Sequence, residues 1–141
     1  MEAVRAADLV VHAGDLTSAA FLDELRSYGP PVHVVGGNAD EPALRAVLPE
    51  QLVLEVDDAR IGVVHVPGPA AGREGRLVRR FPGCDAVVFG HTHLPVVERV
   101  DGVWLLNPGS PTERRRGPFR SFLLLRVSGR TIEPELVEIR T

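Results

Sequence analysis

Five residues of this chain have side chains that ligate metal ions and fall where such ions are commonly held: Asp15, Asn38, His65, His91 and His93. The last two lie one residue apart in Gly90, His91, Thr92, His93, between the largely apolar stretch Asp85 to Phe89 and Pro95. Carboxylate, amide oxygen and imidazole together suit borderline divalent ions such as Mn²⁺, Fe²⁺, Zn²⁺ or Co²⁺, with Ni²⁺ also acceptable. A set made only of oxygens would suggest Mg²⁺ or Ca²⁺. An aspartate can also bridge two ions about 3.5–4 Å apart, and such a pair polarises water and clamps the oxygens of an in-line phosphoryl displacement.

Side chains so far apart in sequence converge only if the fold gathers them, and the patterning supplies a way. Asp8 to His12 reads as a short buried strand that ends at Ala13, Gly14, Asp15. Thr17 or Ser18 can cap a helix running to about Tyr28, stopped by Gly29, Pro30 and Pro31. Val32 to Val35 is a second strand ending in Gly36, Gly37, Asn38, after which Pro42 opens a helix to about Leu48. This strand, polar loop, helix grammar belongs to a parallel sheet covered by helices.

Further on, Leu52 to Val56 and Arg60 to Val66 read as strands joined at Asp57 and Asp58, with His65 at the end of the second. An amphipathic helix from about Gly72 to Phe81 precedes the strand Asp85 to Phe89. A hairpin turns at Asp101 and Gly102 between Val96 to Val100 and Val103 to Leu106. Phe119 to Val127 and Thr131 to Ile139 form a closing antiparallel pair. All five candidate ligands thus lie within about four residues of a strand's C-terminal end, the edge of an open α/β sheet where ligands bind.

Composition narrows the options. The 141 residues are 44% hydrophobic, enough for one domain, 1–141, with its own core. All 16 basic residues are arginine against 19 acidic ones, which gives no argument for nucleic-acid or membrane binding. The single cysteine, Cys84, excludes an internal disulfide framework and a Cys-rich zinc site. With no signal-peptide pattern and only short apolar runs, a soluble cytoplasmic protein is expected.

The ordered series Gly14-Asp15, Gly37-Asn38-Ala39-Asp40, a strand-ending His65, Gly90-His91-Thr92-His93 and Asn107-Pro108-Gly109-Ser110 resembles the calcineurin-like metallophosphoesterase superfamily, most of all its small YfcE-type phosphodiesterases. The resemblance implies an α/β fold, a two-sheet β-sandwich flanked by helices. It implies that Asp15 bridges two metals, that Asn38, His65 and His91 complete one site, and that His93 belongs to the other. The implied reaction is hydrolysis of a small phosphoester, a phosphodiester first of all, by a metal-activated hydroxide. His65 and His91 would lie near the oxygens that gain charge, with Mn²⁺ the first choice of ion and one or two ions per chain. It also implies a tendency to form homo-oligomers, with no interface legible in the residues.

The chain departs from that pattern in two places. Family members open with a strand ending in Asp-x-His that supplies two more ligands to the second site, and no such element precedes Met1. The expectation is a start roughly 20 residues upstream, the length of a strand and loop. An in-frame stop there with no Asp-x-His codons would sink it. Ala39 also stands where many members have a histidine thought to protonate the leaving group. Losing such an acid costs about 10²- to 10⁴-fold in rate, least for good leaving groups. These departures leave room for an alternative, a non-catalytic metal-binding scaffold of the kind seen in the retromer subunit that resembles the same family.

Each residue also has a plainer reading. His91 and His93 could be a structural pair in a turn, Asp15 a helix cap, Asn38 and Asp40 turn formers. For Asp40 a role orienting a ligand imidazole is an equal option. His65 could be a structural strand-end histidine, since Val66 and Pro67 intervene before Gly68. His12 and His33 read as core or sheet-edge residues and Cys84 as a small buried hydrophobe. The run Arg114 to Arg116 reads as a solvated loop from which one guanidinium could bind a substrate phosphate.

Overall fold

The computed structural model describes residues 7–13, 23–24, 26–36, 48–66, 68–69, 71–90, 92, 95–109 and 120–139. Its framework is a five-stranded sheet in the order β3(Gln51–Val56), β4(Ala59–Val64), β5(Ala86–Phe89), β7(Val103–Asn107), β6(Val96–Val100). The inner strands β4, β5 and β7 run parallel, and the edges β3 and β6 are antiparallel to their neighbours. Burial follows this plan. The central run Ala86–Phe89 is buried at every position, as a strand covered on both faces must be, whereas edge strand β3 alternates exposed and half-buried residues.

Two pairs of strands lie against one face of this sheet. β1(Val10–His12) and β2(Val32–Val34) are parallel, β8(Arg120–Ser128) and β9(Thr131–Ile139) antiparallel. Val11, Val35, Leu123, Leu125, Val127 and Ile132 from these pairs pack with Ile61, Val63, Ala86, Val88 and Leu106 of the large sheet in one apolar cluster. The opposite face is covered by α1(Arg73–Arg80), whose Leu77 and following Phe81 meet Val64, Val87, Phe89 and Leu105. Glu74 in its first turn and Arg79 and Arg80 in its last complement the helix dipole. Sheet on sheet with helix outside is the sandwich the motif series implies. Among the described residues the smaller layer comes as two separate ladders rather than one sheet.

Most expected boundaries hold to a residue or so. β4 stops at Val64 rather than Val66, because the parallel ladder ends at the pair Val64 and Phe89 and both chains leave the sheet there. The Asp101–Gly102 hairpin forms with φ of 51° and 80°, the left-handed pair that a tight two-residue turn needs. Residues 23–24 and 26–27 are helical within the expected first helix, and the rest of that helix lies outside the described residues, as does the one expected from Pro42. Cys84 is buried in the helix-side cluster, and that burial pushes its thiol pKa up, as befits a small hydrophobe.

Asp85 ties the far end of the sheet together. Its carboxylate accepts from the Arg60 backbone N–H at 3.0 Å and from the Arg130 guanidinium at 2.9 Å. The Arg60 N–H first, and then Arg130, hold its pKa below the ordinary 3.8 despite some desolvation. A depressed carboxyl pKa contributes stability that is present above the unfolded-state value and is lost as pH falls through the folded one. Asp85→Asn is therefore expected to be less stable than the wild type at neutral pH, with the gap closing as pH drops below 3.8. Urea unfolding at pH 7 and at successively lower pH measures it, and a gap that stays constant contradicts it.

Candidate metal centre

The C-terminal ends of β1, β4 and β5 meet at one point. His65, the first residue after β4, is 2% exposed, and its Nδ1 lies 2.7 Å from the carbonyl oxygen of Ala13, the first residue after β1. A carbonyl can only accept, so Nδ1 carries the proton. Histidines that ligate metals through Nε2 commonly have Nδ1 held by a backbone carbonyl in this way. The Gly90 N–H, first after β5, donates to the His65 carbonyl at 3.1 Å. A Cβ at Gly90 would lie 2.9 Å from the Ala13 oxygen and 3.2 Å from His65 Nδ1, so only glycine lets the three strand ends approach this closely.

Asn107, wholly buried at the end of β7, extends the cluster. Its Nδ2 donates to the Gly90 carbonyl at 3.3 Å and to Thr92 Oγ1 at 3.1 Å, while its Oδ1 accepts from the Gly109 N–H at 2.9 Å. One backbone acceptor and one backbone donor leave the amide a single orientation. The loop after His65 is fastened from α1: Arg73 Nη2 donates to the Gly68 carbonyl at 2.8 Å, and Arg76 to the carbonyls of Pro69 and Ala71.

Of the five residues singled out by type and spacing, the structure describes His65 alone. Asp15, Asn38, His91 and His93 lie outside the described residues, as do Ala39, Asp40 and Arg114 to Arg116. Their chain neighbours are placed, however: Ala13 lies two residues before Asp15, and Gly90 and Thr92 flank His91. These neighbours are drawn together around a histidine whose Nδ1 donates to a backbone carbonyl, beside a glycine too crowded for a Cβ. His65 is the one candidate ligand among the described residues, which contain no group of three or more His, Cys, Asp or Glu side chains placed to hold an ion; the case for a divalent ion comes from the family. His12 and His33 sit on β1 and β2, half-buried, as the sheet-edge reading expected. Asn107 was singled out only within the motif Asn107-Pro108-Gly109-Ser110, with no role in the site assigned to it, and Ala13 was not singled out at all.

Residues 1–130 match the calcineurin-like phosphoesterase superfamily domain. The chain belongs to that superfamily. The chain is 38% identical over 135 residues to a probable metallophosphoesterase of Methanocaldococcus jannaschii, covering 94% of this chain and 67% of that protein. It is 34% identical over 139 residues to a probable metallophosphoesterase of Methanothermobacter thermautotrophicus, covering 96% of this chain and 78% of the relative. Among solved structures it is similar to Vps29 of Entamoeba histolytica in complex with Zn²⁺, with a TM-score of 0.77, 26% identity, and coverage of 97% of this chain and 86% of that one. The observed sandwich is thus the fold of that family, and the family implies divalent metals. Among the described residues no helix is long and apolar enough to cross a membrane.

Proposed function

We propose that this chain is a metal-dependent hydrolase of phosphodiesters, with Asp15, Asn38, His65 and His91 holding one divalent ion and His93 contributing to a second. The observation that carries the proposal is the His65 ring: buried, with Nδ1 held by the Ala13 carbonyl, at the point where three strand ends meet. The 38% identity to a probable metallophosphoesterase supports the same chemistry. A divalent ion bound there polarises water for attack on phosphorus and offsets the charge that builds on the phosphoryl oxygens.

The chain's own residues have three tasks. The Ala13 carbonyl holds the His65 imidazole in one tautomer and one orientation, so no reorganisation is needed when a ligand binds. In this reading His65 and His91 would serve the phosphoryl oxygens that gain charge. Ala39 has no proton to give, so the substrates that suit this site are diesters whose leaving groups depart as stable anions.

Mn²⁺ is the preferred ion, and Zn²⁺ is supported as an option by the Vps29 complex. The same likeness favours a second reading, a non-catalytic scaffold that keeps the metal pocket and works through protein contacts. Assay on bis(p-nitrophenyl) phosphate with Mn²⁺ separates the two. Turnover that disappears in His91→Ala is expected. Absence of turnover with Mn²⁺, Zn²⁺, Co²⁺ and Ni²⁺ alike would give the scaffold the stronger case.

A further inference from the structure

We infer that Asn107 is a positioning residue for the metal centre: its buried carboxamide sets the loop carrying His91, and the closing hairpin holds it in place through Ser121. The inference rests on the metal-binding reading above and deepens it. The two groups that accept from Asn107 Nδ2 belong to Gly90 and Thr92, the residues on either side of His91, and Thr92 also precedes His93. One planar amide therefore fixes the chain both before and after the first of these histidines.

The amide is itself fixed from behind. Its Oδ1 accepts from the Gly109 N–H, closing a turn in which Gly109 has φ of 73°. Ser121 on β8 is wholly buried and its Oγ donates to the Pro108 carbonyl at 2.7 Å. A Cβ on Gly109 would run into Ser121 Oγ, so the turn can rest on the hairpin only with glycine there. The resulting chain of contacts runs from β8 through Ser121, Pro108, Gly109 and Asn107 to Gly90 and Thr92, and none of its members is among the proposed ligands. Partners that orient metal-binding groups from outside the ligand set typically account for 10- to 100-fold in metal affinity.

The test measures Mn²⁺ binding to metal-free protein by calorimetry, with the thermal midpoint of the same samples recorded. Thr92→Val keeps the side-chain shape and removes one acceptor, and Asn107→Ala removes both donations. Each is expected to weaken Mn²⁺ binding, Asn107→Ala by about 10- to 100-fold. Thr92→Ser is expected to restore wild-type affinity. If Asn107 acts through Thr92, the double variant Thr92→Val, Asn107→Ala loses no more affinity than Asn107→Ala alone. Folded variants that bind Mn²⁺ like the wild type, with only the thermal midpoint lowered, would make Asn107 purely structural and overturn the inference. Should Asn107→Ala not fold, Thr92→Val and its serine rescue decide alone. A wild-type protein that binds no Mn²⁺, Zn²⁺, Co²⁺ or Ni²⁺ overturns the metal-binding reading and this inference with it.

Discussion

Exchange of His65 for asparagine is expected to leave the fold standing while removing metal-dependent turnover. The amide Nδ2 of asparagine occupies nearly the place of histidine Nδ1, so it can still donate to the Ala13 carbonyl that His65 now holds at 2.7 Å. The group lost is the outer nitrogen, the proposed metal-binding atom. Loss of a partner one shell further out already lowers metal affinity about 10- to 100-fold, and loss of a direct ligand should exceed that. His65→Gln makes the complementary test, because its amide reaches the Nε2 position but not the Ala13 carbonyl. An unpaired buried carbonyl costs about 1–3 kcal/mol, so the glutamine variant should be the less stable of the two and keep more of its metal affinity. Thermal unfolding and Mn²⁺ calorimetry on both variants provide the comparison. If His65→Asn binds metal and turns over substrate like the wild type, His65 is a structural strand-end histidine and the ligand assignment is wrong.

Gly90→Ala is expected to damage both stability and metal binding. The added methyl would stand 2.9 Å from the Ala13 carbonyl oxygen and 3.2 Å from His65 Nδ1. The first of these belongs to backbone at the end of a strand and cannot swing aside as a side chain could. Relief requires β1 and β5 to move apart or the His65 ring to turn, and either change breaks the bond that sets its tautomer. Overpacking of this kind typically costs about 1–3 kcal/mol. Because the strain falls on the His65 contact, Mn²⁺ affinity should fall together with the urea midpoint. An alanine variant that matches wild type in both measurements would mean that the strand ends adapt freely, and that Gly90 matters only as a loop former.

Both predictions concern a place where the elements were easy to foresee and their meeting was not. Strands β3 to β7 follow from patterning: a four-residue buried run for β5, alternation for β3, and Asp101-Gly102 for the hairpin. The helix at 73–80 follows from its single apolar stripe, which places Leu77 against the sheet. The end of β4 was foreseen two residues too far along, since apolar patterning cannot register where a parallel ladder runs out of partners.

His65 could be named from type and position, because a polar ligand residue closing an apolar strand is visible in one dimension. The motif series pointed to the superfamily for the same reason: each motif is a short local pattern and their order is written in the chain. Tertiary structure alone decided the protonation pattern of His65, the need for glycine at 90 and the grip of Asn107 on both flanks of His91. The contacts responsible join residues 52, 17 and 15 positions apart. Such pairings leave no periodic trace, since a backbone carbonyl is the same in every residue and a buried amide finds its partners only when separate strands end at one edge.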